Sequence, residues 1–323
     1  MLFGHTRGMP DSRPVTGTIV PPPAATRPAV EALYPLLFVL LWSTGFIGAK
    51  FGLPDAAPLT FLAWRYAAVI VLMGVIVAVT RAPWPKASGA WGHIAVSGLL
   101  VHGVYLGGVF TAISHGLPAG ITALVVGLQP VVTALGARAV LGEQVRPAQW
   151  TGLTLGFLGV GLVVAAKTAS VPSHALVTML VPAVLALLGI TAGTLYQKRF
   201  CPSFDLRTGA VIQFLPCLGI TAALALATEN TTVHWTPSFL FALGWLVLVL
   251  SIGAVSLLNL LIRRGSAVNV ASLFYLTPPT TAVIAWALFH ETLSGLAIVG
   301  MGLSVFGVWL ARSTPAVRGA QQR

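Results

Sequence analysis

The chain has 323 residues, a formal net charge of +11, 56% hydrophobic residues and only 8% charged residues, with a mean hydropathy of +0.90. A soluble domain carries roughly 25% charged residues, so this composition excludes an ordinary soluble protein. The positive charge is no nucleic-acid signal either, because the basic residues stand singly or in pairs at the ends of long apolar runs, as membrane topology requires.

The first 30 residues, with "TGTIVPPPAATRPAV", are rich in Pro, Thr and Ala. They lack an apolar core of signal-peptide length and read as a disordered tail. Ten apolar segments of about 20 residues follow, each long enough to span a bilayer as a helix. The first five are predicted at 32–51, 59–80, 91–114, 118–141 and 148–166. The second five are predicted at 175–198, 207–227, 237–261, 267–289 and 294–311. Gly- and Pro-containing turns such as "GLPDAAP", "RAPWPKASG" and "EQVRP" separate them, and 313–323 is a second tail.

Fifteen of the eighteen Lys and Arg fall in the two tails or in every second loop. The positive-inside rule therefore puts both termini in the cytoplasm. Lys50 and Lys167 lie on the opposite side, and Arg65 lies inside the second helix. Cys201 falls in a short basic loop and Cys217 in an apolar run, so no disulfide is predicted.

A shift of 148 residues aligns the two halves without a gap. Lys50 falls on Lys198, Pro130 on Pro278, Thr133 on Thr281, Glu143 on Glu291, Gly152 on Gly300 and Gly159 on Gly307. Each unit, 31–166 and 175–312, holds five helices. Five is odd, so the second unit is inserted upside down relative to the first. Inverted repeats are a transporter architecture with the substrate site near the midplane. GxxxG pairs, Gly152/Gly156 among them, favour close helix approach in lipid. The expected fold is an all-α integral membrane protein of ten transmembrane helices in an inverted 5+5 repeat.

These residues also carry a family resemblance. "LWSTGFIGAKFGLPDAAPLTFLAWRY" resembles the opening helix pair of EamA-type members of the drug/metabolite transporter superfamily. "LQPVVTALGARAVLGEQVRPAQWTGLTLGFLGVGLVV" resembles the fourth and fifth helices of that unit, and "LTPPTTAVIAWALFHETLSGLAIVGMGLSVFGVWLA" its second copy. The resemblance covers roughly 32–312. It implies ten helices and transport of small metabolites, often export, across a bacterial inner membrane.

Midplane positions are the candidate substrate contacts. Helix centres fall near Trp42, His102, Gln129 and Pro278. Tyr105 shares a helix face with His102, and Tyr275 lies one turn from the centre of the ninth helix. Pro130 and Pro278 are expected helix breaks. A wall of Trp, Tyr and Gln suits an amphipathic organic solute.

All seven acidic residues lie in tails, loops or at helix ends. A carboxylate proton relay therefore has no candidate, and His102 is the mid-membrane group that titrates near neutrality. Arg65 is expected about 9 Å below the external face. There it either snorkels, pairs with Asp55, or joins Lys50 in recognising an anionic group.

"HETLS" at 290–294 lacks the second histidine of a zinc-protease motif, so Glu291 and Ser294, like Glu143 and Pro147, read as turn and helix-start residues. No P-loop, GxSxG or intramembrane Asp pair is present, and no metal or cofactor is expected. The competing readings are a channel, or a membrane-embedded enzyme without a recognisable catalytic motif. The expected partners are the lipid bilayer and a small-molecule substrate, with a homodimer left open and no nucleic acid.

Overall fold

The computed structural model describes residues 29–117, 119–142, 144–168, 173–201, 203–289 and 295–312. The tail 1–28, the tail 313–323, Glu143 and the 290–294 turn lie outside the described residues. Residues 1–33 group apart from the rest, and of them the structure describes only the opening of the first helix.

The described chain is helical, with one isolated β-bridge between Ala56 and Val233. In chain order the α-helices are α1 (Ala29–Gly52), α2 (Pro58–Thr80), α3 (Ser88–Gly98), α4 (Tyr105–Ser114), α5 (Ala119–Gly127), α6 (Gln129–Leu141) and α7 (Pro147–Thr168). They continue as α8 (Ser173–Phe200), α9 (Leu206–Thr228), α10 (Pro237–Trp245), α11 (Val255–Arg264), α12 (Ala267–Ser272), α13 (Thr277–Phe289) and α14 (Gly295–Arg312). Wide π-helical turns, Leu99–Val104 and Leu246–Ala254, join α3 to α4 and α10 to α11. A 3-10 turn, Leu273–Leu276, joins α12 to α13.

The helix ends follow local chemistry. Pro58 opens α2 and Pro237 opens α10, where a missing N–H costs nothing. The side chains of Asp205, Thr236 and Ser266 accept from the backbone N–H of Arg207, Phe239 and Asn269 at 2.9, 3.1 and 3.1 Å, satisfying first-turn donors. Gly142 closes α6 at φ 66°, a conformation open to glycine at no steric cost. Glu229 caps α2 from a distance: Oε1 accepts from Leu59 N at 2.9 Å, and Oε2 from Thr60 N at 2.8 Å and Thr60 Oγ1 at 2.9 Å. A carboxylate there also complements the helix dipole.

Helix bounds recur along the chain. α2 and α9 begin and end 148 residues apart, as do α6 and α13. The two π turns also overlap under that shift. α2 and α9 pack on each other, with Tyr66 against Phe214 at 5.5 Å between ring centroids. The α7–α14 crossing is built of glycine. A Cβ on Gly159 would meet Gly300 O at 2.5 Å and Ser304 N at 2.6 Å. A Cβ on Gly307 would meet Gly152 O at 2.5 Å and Gly156 N at 2.6 Å. The same 148-residue shift exchanges these two contacts.

Among the described residues, seven helical stretches are long and apolar enough to cross a membrane: Leu33–Gly52, Pro58–Thr80, Gly89–Ser114, Met179–Phe200, Leu206–Thr228, Pro237–Arg264 and Ala267–Leu288. Val125–Leu141 and Ile298–Gly307 are shorter apolar helices. The sequence expectation was ten spans. The fourth and tenth expected spans correspond to these two shorter helices, and the fifth to α7. Exposed apolar side chains such as Val71, Val79, Leu226 and Trp309 give the bundle the outer surface that lipid demands. Both cysteines are free and buried; Cys217 Sγ donates to Gln213 O at 3.1 Å.

Candidate functional site

The main core cluster packs Phe38, Trp42, Phe61, Tyr66, Phe214, Phe239 and Phe274 against one another. Beside it lies a small cavity of about 30 Å3. Its walls are Trp42, Gly45 and Phe46 of α1, Arg65 of α2, Val101 and His102 of the first π turn, Tyr105, Leu106, Val109 and Phe110 of α4, Leu250 of the second π turn, and Val255 of α11.

Arg65 is the charged member of that wall. It is 2% exposed, so the shallow snorkelling position does not hold. Its Nε donates to Ser251 Oγ at 3.0 Å, and the cation–carboxylate contact with Asp55 is not formed. Asp55 is occupied elsewhere: Oδ2 accepts from Thr236 Oγ1 at 2.8 Å, and its carbonyl accepts from His234 N at 2.9 Å. The physical reason is the packing of α2. Trp64, on the neighbouring face, is the exposed one and stacks edge-on to Trp235 at 5.1 Å. The next position turns inward against α9 and the second π turn.

The other lining groups interlock. Trp42 Nε1 donates to Tyr105 Oη at 3.2 Å, and the two rings lie 5.9 Å apart at 15°. Phe274 meets the Trp42 ring edge-on at 5.3 Å. The His102 ring stacks on Phe214 at 4.2 Å, and its Nε2 has no hydrogen-bond partner. The π turn at Leu99–Val104 shifts the regular i to i−4 ladder, and the His102 carbonyl accepts from Tyr66 Oη at 2.7 Å.

The remaining sequence candidates lie away from this cavity. Lys50 is exposed in the last turn of α1. Gln129 is fully buried, with Nε2 donating to Thr194 Oγ1 at 3.4 Å. The Tyr275 ring lies close against Gly156, and its hydroxyl donates to Leu153 O at 2.9 Å. Pro130 and Pro278 are the second residues of α6 and α13. The chain departs from α geometry just before each, at Leu128 and in the Leu273–Leu276 turn.

Sequence reasoning missed Ser251, Phe46 and Phe110. Ser251 had a signal, since it is a lone hydroxyl in the apolar run "LGWLVLVLSIGA". Nothing in the sequence announced the π turn that aims it at Arg65.

The chain is similar to several known proteins. It is 26% identical over 283 residues to an uncharacterized inner membrane transporter, YedA, of Escherichia coli strain K12, covering 86% of this chain and 90% of the relative. It is 27% identical over 293 residues to an uncharacterized transporter, YvbV, of Bacillus subtilis, covering 87% and 91%. A protein of Escherichia coli strain K12 named "Probable amino-acid metabolite efflux pump" is 24% identical over 292 residues, covering 87% and 94%. A solved crystal structure at 22% identity superposes with a TM-score of 0.70, covering 88% of this chain and 97% of its own, and so shares the fold. The EamA-like transporter family model matches twice, at 30–165 and 177–313, nearly the whole of the spanning region, and the chain belongs to the EamA-like transporter family.

Proposed function

We propose that this protein is a secondary transporter that exports small metabolites or drug-like organic solutes across a bacterial inner membrane. In this reading residues 31–166 and 175–312 are two inverted five-helix units, ten spanning helices in all. Both tails, 1–30 and 313–323, lie in the cytoplasm, and the units rock about the cavity between them to give alternating access.

The observation that carries the reading is the cavity itself. Its walls come from both family-matched segments, with Leu250 and Val255 closing over α1, α2 and α4. The recurring helix bounds, the exchanged glycine contacts at α7–α14 and the relatives named as transporters and efflux pumps support it. Trp42, Arg65, His102 and Tyr105 are the residues assigned to the substrate cavity. Gln129, Tyr275 and Lys50 contribute at most from outside it in this conformation.

The test uses the purified full chain in liposomes, loaded with a metabolite that accumulates in cells lacking the protein. The expected result is saturable efflux, accelerated by the same solute on the far side. Efflux that stays linear with concentration, or single-channel conductance, would overturn the reading. Reporter fusions at residues 1 and 323 should both report cytoplasm; opposite locations would remove the even helix count.

A further inference from the structure

The geometry points to a monoanionic organic acid as the solute class of this cavity. Its carboxylate would sit on the Arg65 guanidinium, and an apolar, ring-sized body would lie against Trp42, Phe46 and Phe110. This inference rests on the transport reading but concerns what the site takes, not whether it moves it.

Arg65 is a buried cation with a neutral hydrogen bond, Nε to Ser251 Oγ at 3.0 Å. Removing an ion from water costs several kcal/mol, and that cost is offset only by a counter-charge with good geometry. Among the described residues the terminal amino groups of the guanidinium find no acceptor and no carboxylate. Asp55 is bonded to Thr236, Asp205 to Arg207, and Glu229 to the start of α2.

Ser251 takes up the Nε edge of the guanidinium, which leaves its paired Nη edge without an acceptor among the described residues, and Arg65 is one of the side chains that line the cavity. That edge offers a carboxylate two parallel hydrogen bonds.

The rest of the lining sets the remainder of the solute. Phe46, Phe110, Val109 and Leu250 are apolar, the Trp42 indole N–H is already engaged by Tyr105, and the polar groups besides Arg65 are the Tyr105 hydroxyl and the His102 ring, whose Nε2 can exchange one hydrogen bond with a solute. A second carboxylate would have no cation there. An ammonium would stand beside Arg65 with no acid to pair, and like charges in a low-dielectric site repel strongly. A single negative charge on an apolar body is the pattern left. The walls must part to admit it, since the open space now holds about two waters.

The test compares three solutes that share a phenylalkyl body and differ in charge: 3-phenylpropanoate, L-phenylalanine and phenethylamine. Each is radiolabelled and bound to the purified full chain in detergent micelles at pH 8. The expected result is saturable binding of 3-phenylpropanoate with a Kd at least tenfold below those of the other two. Arg65→Gln should weaken it at least tenfold while the variant keeps its melting transition, and Arg65→Lys should fall between.

Equal binding of phenylalanine or phenethylamine, no saturable binding of the acid, or unchanged affinity in Arg65→Gln overturns the inference. If Arg65→Gln does not fold, the three-solute comparison on the natural chain decides alone. Liposome flux of the same solutes separates the two claims. Saturable flux of phenylalanine or phenethylamine without binding of the acid leaves the transport reading standing and removes this one. Tight binding of the acid with no saturable flux of any of the three does the reverse.

Discussion

A single methyl group at Gly159 measures how the α7–α14 crossing is held. The added Cβ would lie 2.5 Å from Gly300 O, 2.6 Å from Ser304 N and 2.7 Å from Ser304 Oγ. Ordinary contact begins near 3.4 Å, so the helices must separate by about 0.9 Å at that point. Two of the three atoms are backbone and cannot swing away. Overpacking of this kind costs about 1–3 kcal/mol, and the rigid neighbours place it at the upper end. Alanine recovers about 0.8–1.0 kcal/mol of helix propensity. The net expectation for Gly159→Ala is about 2 kcal/mol of destabilisation, and Gly307→Ala, against Gly152 and Gly156, should match it. One separation relieves both clashes, so the double variant should cost less than the two singles together by at least about 0.5 kcal/mol. The assay is SDS-induced unfolding in mixed micelles followed by tryptophan fluorescence. Gly161→Ala, on the same helix with open space around it, is the control and should stabilise. A Gly159→Ala chain as stable as the natural one would refute the close crossing.

Tyr66→Phe removes the hydrogen bond to the His102 carbonyl, leaving a buried acceptor without its donor. It should lose about 1–3 kcal/mol in the same unfolding assay. Glu229→Ala strips two backbone N–H groups of α2 of their acceptor and should cost about 0.5–2 kcal/mol, while Glu229→Gln should recover part of that. Side-chain and backbone hydrogen bonds from Arg207 hold the Asp205 carboxyl below the usual aspartate range. Its folded value is depressed, so its contribution is present above the ordinary aspartate range and is lost as pH falls through and below it. Solvent screening limits that contribution to under about 1 kcal/mol, and Arg207→Ala, which removes the side-chain bonds but keeps the backbone N–H at 207, should reduce this part of the pH dependence in acid titrations of stability without abolishing it.

The helix inventory was legible because membrane helices are written in one dimension. Apolar length, Pro58 and Pro237 at helix starts, and Gly142 at a helix end all act on their own neighbours in the chain. The 148-residue recurrence was legible for the same reason. The cavity was legible in part. Trp42, His102 and Tyr105 line it because centres of adjacent long helices tend to meet. Gln129 and Tyr275, expected at similar depth, face α8 and α7 instead, and depth carries no information about facing. Arg65 shows the limit most clearly. Counting residues from the helix start placed it near a water interface beside Trp64 and Tyr66. Its burial depends on α9 and the second π turn packing over α2, contacts with residues about 150–190 positions away. A wide turn also moves every following side chain around the helix relative to a regular α count, so Ser251 could be noticed as polar but not aimed.

The buried thiols have a practical consequence. The chain contains two cysteines, Cys201 and Cys217, and both are enclosed. Cys217 lies behind the first π turn, its sulfur 3.8 Å from where a Cβ on Gly103 would stand. A maleimide reagent therefore has little to react with while the bundle is shut. A cysteine placed at an exposed position can be labelled on the natural background without first removing the native pair. The rate at which Cys217 itself becomes modified then clocks how often the packing of α9 against the first π turn opens, with no residue introduced into the chain.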